Sequence, residues 1–198
     1  MTFYNFLKNV KGRCFSVLHA PRRHYKKLGK NVWIDKRVVD ISGADCLSIG
    51  DNSKIYANAR IVAIKKYNNR SFNPEIIIQD GVVIGQNFHC TCAEKIYIGK
   101  GTSITPNCGI FDIVHPYEDV DENPRNQLIT TCPVIIGKNC MIGMNSVIQA
   151  GVILGDHVIV GANSTIVKGV YPSYCVLVGS PAKIIKIYSE SRKEWVKV

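Results

Sequence analysis

No apolar run in this sequence approaches the roughly 18–20 residues that a membrane-crossing helix requires. Its mean hydropathy, +0.03, is that of a soluble chain. Nor do residues 1–27 hold an uninterrupted apolar stretch followed by a small-residue cleavage site, so no secretory signal is read and the expected location is the cytoplasm. A disulfide framework is missing as well. The eight cysteines are scattered through 198 residues, enough to build a core without staples, and reduced thiols are expected. Cys90-x-Cys92 has no second pair at zinc-site spacing, so no metal is expected. Acidic residues are wanting in one place above all. Positions 1–30 carry Lys8, Lys11, Arg13, Arg22, Arg23, Lys26, Lys27 and Lys30 and no acid, so most of the net charge of +10 lies there. No helix-turn-helix, zinc finger or aromatic RNA-binding pattern accompanies that charge, which removes nucleic acid as a partner.

What is present is a strict period of six. Ile136, Ile142, Ile148, Leu154, Val160 and Ile166 follow one another without a slip. Four residues after each comes a small or β-branched residue: Cys140, Ser146, Val152, Val158, Ser164 and Val170. A helix repeats near 3.6 and a strand at 2, so a period of six is neither alone. It describes short strands separated by turns, coiled so that each unit stacks on another about 4.8 Å away. The same register runs through Ile49, Ile55 and Ile61, through Ile78 and Ile84, and through Ile98, Ile104 and Ile110. Together these runs supply about five three-sided coils.

The register breaks in three places. Lys65–Arg70 is a polar interruption, and two extra residues lie between Ile84 and Ile98. The longest break, Ile110 to Ile136, contains Pro116, Pro124 and Pro133 and cannot be continuous strand. The expected organisation is therefore a basic extension over residues 1–44, a β-helix over 45–180 with a looped-out segment 111–133, and a helical C-terminal cap over 181–198. Residues 1–30 also carry Phe3, Phe6, Leu7, Val10 and Phe15. They would serve either as a cap on the open coil or as a peripheral contact with an anionic inner-membrane face.

Gly161-Ala162-Asn163-Ser164, Lys168, Pro172 and Gly179-Ser180-Pro181-Ala182-Lys183, together with the hexads, resemble the hexapeptide-repeat acyltransferases. The likeness spans about residues 45–187 and is greatest to the galactoside and maltose O-acetyltransferases, the xenobiotic acetyltransferases and the O-acetyltransferases of bacterial surface polysaccharides. It implies an all-β, left-handed parallel β-helix that forms a homotrimer with sites between subunits. It also implies acetyl-CoA as co-substrate and a saccharide acceptor, either a small molecule or lipid-linked.

The family's catalytic histidine falls in the equivalent loop, which carries the role to His115 within Asp112-Ile113-Val114-His115-Pro116-Tyr117-Glu118. A neutral imidazole can take the proton of an attacking hydroxyl near neutral pH. Asp112 and Glu118 are the candidates to orient it. The resemblance puts Thr105, Met144, Ala162 and Val167 along the pantetheine and Lys168, Lys183 and Lys186 at the phosphates. It also puts oxyanion donors at the Gly143–Met144 turn. Met141 stands where the family usually has tryptophan, beside the acceptor, and His89 is a further acceptor candidate. N-acetylation of an amino sugar is the rival activity. A γ-class carbonic anhydrase needs three converging histidines, two of them close in sequence, whereas His89, His115 and His157 are far apart. A non-enzymatic β-helix would need neither the His-Pro loop nor the lysine-rich closing motif.

Overall fold

The computed structural model describes residues 24–198. Three parallel sheets form the faces of a β-helix. The first face stacks seven strands, beginning at Lys27–Leu28 and ending at Gly169–Tyr171. The second begins at Trp33–Ile34 and continues to Cys175–Gly179, after which two further strands extend it. The third has six strands, from Asp40–Ser42 to Thr165–Ile166, so there are six complete coils.

The period of six becomes vertical registry. Ile34, Ile55, Ile84, Ile104, Ile142, Val160 and Leu177 are successive partners up the second face. All seven are essentially inaccessible. At about 1.5–3 kcal/mol for each fully buried aliphatic side chain, such columns are the main favourable term of the fold. Val170 departs from the inward pattern, because it lies on the outer side of the last first-face strand and is 76% exposed.

Turn chemistry has a register of its own. The third residue after most of the inward aliphatics takes a left-handed backbone: Asn31, Asn52, Asn58, Gly81, Asn87, Gly101, Asn107, Asn139, Asn145, Gly151, His157 and Asn163. Asparagine and glycine tolerate that conformation best. Between the second and third faces the asparagines bond in sequence. The Nδ2 of Asn58, Asn87, Asn107 and Asn145 donates to the Oδ1 of Asn87, Asn107, Asn145 and Asn163, at 3.0, 2.7, 2.9 and 3.0 Å. Coil contact is closest where the turn carries glycine: a Cβ on Gly137 would lie 2.3 Å from the Gly155 carbonyl oxygen.

Two sequence expectations are corrected. Residues 27–42 are not an extension preceding the β-helix but its first coil, with Lys27–Leu28 pairing Ser48–Ile49 in parallel. The part of the basic segment before residue 24 lies outside the described residues. Residues 181–198 are not helical. Ala182–Ser189 folds back antiparallel on Cys175–Gly179, and Glu194–Lys197 pairs with it in turn. The free edge of the second face selects strand over helix, and the β-branched run Ile184, Ile185, Ile187 suits that choice.

Candidate active site

The chain leaves the coil after the strand Gly109–Phe111 and rejoins it at Val134–Ile136. The neck of the excursion is a short antiparallel ladder, Ile113 opposite Thr131 and Val114 opposite Thr130. Beyond it the loop is bonded mainly to itself. Gln127 Nε2 donates to the carbonyls of Asp119 and Glu122, and Asn126 Nδ2 donates to Glu122 Oε1. Ile129 is the buried anchor. This is a compact surface loop whose ends lie close together, the form in which functional residues are often presented.

His115 stands exposed just outside the neck, with neither ring nitrogen bonded to another described residue. Its nearest aromatic neighbour is Tyr67, with ring centroids 5.7 Å apart and planes at 72°. Tyr67 belongs to a hairpin, Lys66–Tyr67 with Arg70–Ser71, that the polar interruption Lys65–Arg70 forms. The hairpin also grips the loop. Tyr67 donates its hydroxyl hydrogen to the Arg125 carbonyl, and Asn68 Nδ2 donates to the Asn126 carbonyl at 2.8 Å.

Neither candidate orienting acid reaches the imidazole. The Asp112 carboxylate is fully buried and accepts the N–H groups of Ala93, Glu94 and Lys95 at 2.8, 2.8 and 2.7 Å, and the Cys92 thiol at 3.2 Å. It holds the tight Ala93–Glu94 turn, where the two extra residues of the sequence are accommodated. Burial and, after it, the neighbouring Asp112 charge push the Cys92 thiol well above its ordinary pKa; Cys90 is raised for the same reasons. These thiols are therefore protonated packing groups. Glu118 is exposed and, among the described residues, accepts only the Tyr117 N–H, at 2.9 Å.

His89 points outward on the third face, stacked on Arg60. Arg60 Nη1 lies 2.9 Å from His89 Nε2. A guanidinium only donates, so Nε2 accepts and the ring proton belongs on Nδ1. Partial burial, reinforced by Arg60, lowers the His89 pKa. Met141 is half-exposed on the second face between Ser103 and Ile159.

The candidate cofactor residues fall on two edges. Thr105, Gly143, Met144 and Ala162 line the corner between the second and third faces, beside the asparagine ladder. Lys183 comes to the same edge, because it pairs with Val178, whose Cγ2 lies against Gly161. The Gly143 N–H is taken by the Val160 carbonyl at 2.8 Å and cannot serve an oxyanion, which corrects the role expected of it. Met144 and Ala162 keep N–H groups with no partner among the described residues, and these are the donors the corner offers. Val167 and Lys168 lie at the far end of the third face instead, where Lys168 packs over Gly151 beside Cys132 at the foot of the loop. Lys186 is farther along the antiparallel strand, opposite Val176 and Lys197. No single edge of one chain gathers the whole set.

Among the described residues no three His, Cys, Asp or Glu side chains are grouped to hold a metal ion. Sequence reading did not single out Tyr67, Asn68 or the asparagine ladder. The ladder had a signal, an asparagine three residues after each of five successive second-face aliphatics.

Residues 133–168 match the family model described as the hexapeptide repeat of succinyl-transferase. No curated protein matches the chain. Among solved structures it is similar to AntD, an N-acyltransferase from Bacillus cereus in complex with dTDP and 3-hydroxybutyryl-CoA. That likeness has a TM-score of 0.71 and 20% identity over 86% of this chain and 87% of that one. A maltose O-acetyltransferase from Clostridium difficile 630 gives a TM-score of 0.54 and 26% identity over 85% and 73%. A hexapeptide-repeat-containing acetyltransferase from Vibrio cholerae gives 0.53 and 21% over 85% and 77%. With its columns of aliphatics, its three parallel faces and a hexapeptide-repeat match over residues 133–168, the chain has the β-helix fold of the hexapeptide-repeat acyltransferases it is similar to.

Proposed function

We propose that the chain is an acetyl-CoA-dependent O-acetyltransferase acting on a saccharide hydroxyl, with precursors of surface polysaccharides as the acceptor class. The observation that carries this reading is His115, held exposed outside a hydrogen-bonded neck with neither ring nitrogen bonded to another described residue. An alcohol is a poor nucleophile at neutral pH and needs a base at the moment of attack. In the proposed step the acceptor oxygen attacks the thioester carbonyl while His115 takes its proton. The tetrahedral oxyanion is met by the free Met144 and Ala162 N–H groups. Collapse breaks the C–S bond, and the proton passes from the imidazolium to the departing thiolate. Lys168, Lys183 and Lys186 would neutralise cofactor phosphates as point charges. The division of candidate residues between two edges supports a homotrimer in which one copy's corner faces another's loop. The reading includes a cytoplasmic enzyme, with residues 1–30 as a candidate peripheral contact with the inner membrane face.

Transfer to an amino sugar is the second reading, favoured by the higher structural similarity to the N-acyltransferase AntD. Purified protein, acetyl-CoA and a panel of hydroxyl and amino-sugar acceptors would be assayed by thiol release, with products treated with hydroxylamine. Esters are cleaved and amides survive, so resistant products would replace the O-acetyl reading with the N-acetyl one. His115→Ala should lower turnover by about 10²–10⁴-fold, the usual worth of a general base, with acetyl-CoA affinity unchanged. Full activity in that variant would refute the role of His115.

A further inference from the structure

We infer that the hairpin Lys66–Ser71 is a clamp on the catalytic loop, and that Tyr67 is its positioning residue for His115. The inference rests on the proposed role of His115 as the base. The loop is bonded mainly to itself, and no hydrogen bond from another described residue fixes the direction of the histidine at its base. The neck restrains Ile113, Val114, Thr130 and Thr131 only. The hairpin supplies the missing restraint from two sides. Its Tyr67 ring meets the imidazole at 5.7 Å in an edge arrangement, a preferred geometry for aromatic pairs. Its Tyr67 hydroxyl and Asn68 amide hold the carbonyls of Arg125 and Asn126, on the returning limb of the same loop.

The hairpin is itself anchored. Lys65 pairs with Asp45 at its foot, the Phe72 N–H closes it on the Lys65 carbonyl at 2.9 Å, and the Arg70 guanidinium lies 5.3 Å over the Phe72 ring. A six-residue excursion in the second complete coil thus reaches across two coils to a histidine 48 positions later in the chain. Nothing in the core requires it: the inward columns pass Ile61 and Ile76 on either side without interruption. Its contacts are spent on the loop.

A positioning residue acts on turnover more than on binding, since a displaced base costs rate while the cofactor groove is untouched. Tyr67→Leu, which removes both the ring and the hydroxyl, should lower kcat about tenfold or more, with KM for acetyl-CoA unchanged within about twofold. Tyr67→Phe keeps the ring against His115 and should recover most of that loss, while Asn68→Ala should fall between the two. In a His115→Ala background, Tyr67→Leu should have no further effect, because the group it positions is gone. Circular dichroism and thermal melting check that all variants fold. Wild-type kcat in Tyr67→Leu, with His115→Ala inactive, would overturn the clamp and leave the base assignment standing. A further loss of rate from Tyr67→Leu in the His115→Ala background would also overturn it. Full activity of His115→Ala would instead remove the base assignment, and the clamp's catalytic meaning with it.

Discussion

Replacing Asp112 should damage the fold far more than the chemistry. Its carboxylate is fully buried and accepts three backbone N–H groups and one thiol, all in the turn that joins the third face of one coil to the first face of the next. A hydrogen bond to a charged acceptor contributes about 1.5–3 kcal/mol, and a buried donor left without a partner costs about 1–3 kcal/mol. Three such donors would give about 5–9 kcal/mol if they were independent. They share one acceptor and one turn, which can open to water, so the deletions do not add. For Asp112→Ala the expected loss is about 3–5 kcal/mol, read as a lower urea midpoint at an unchanged slope. Asp112→Asn should lie close behind it, because the amide nitrogen turns a donor either on the two N–H groups that Oδ2 accepts or on the one that Oδ1 accepts. Below the unfolding transition, the surviving folded fraction should retain acetyl transfer within a fewfold of normal. An Asp112→Asn protein of wild-type stability whose turnover had fallen a hundredfold would refute this structural role. That result would return Asp112 to the imidazole.

The asparagine ladder can be separated into backbone and side-chain parts at Asn145, where φ is 60°. Asn145→Gly loses two ladder bonds but keeps the conformation, whereas Asn145→Ala also meets a left-handed penalty of about 1–2 kcal/mol. Alanine should therefore melt below glycine by several degrees in calorimetry, and equal melting would discount the backbone term. The side chain and backbone N–H of Arg37 hold the Asp35 carboxyl at a pKa of about 2, below its ordinary 3.8. A depressed folded-state pKa gives stability that is present above the unfolded value and lost as pH falls through the folded one. The Asp35 contribution should thus be whole at neutral pH and vanish between about pH 4 and pH 2. Acid titrations of wild type and Asp35→Asn should converge over that window, and parallel curves would contradict the assignment.

The hexad made the three faces legible because each inward residue is also the next coil's neighbour: local period and tertiary contact are the same information. The first coil escaped notice although Leu28, Ile34 and Ile41 carry the pattern, because the surrounding lysines read as an extension. The closing segment was misread for a different reason. Helix propensity is a property of residues 181–198, whereas the strand they form is demanded by an edge elsewhere. The candidate site was legible only where the proposed chemistry sits on a single residue. His115 stands out as a histidine in a break of register, but Asp112 looks like its partner until the amides of Ala93, Glu94 and Lys95 are found around it. Tyr67 and Arg125 are 58 positions apart, and no periodicity links a hairpin to a loop.

The backward turn of the last strands has a consequence for the protein in a crowded solution. A stack of parallel coils ends in rows of unpaired N–H and C=O groups, and a second molecule could in principle continue each row into a fibre. On the second face, Ala182–Ser189 and Glu194–Lys197 occupy that position in the opposite direction. The outermost strand, with Glu194 and Lys197 on it, offers an incoming coil the wrong polarity and a charged rim. Removing residues 181–198 would leave the Cys175–Gly179 edge unpaired, so the hairpin that finishes the fold also closes the second face to an incoming strand.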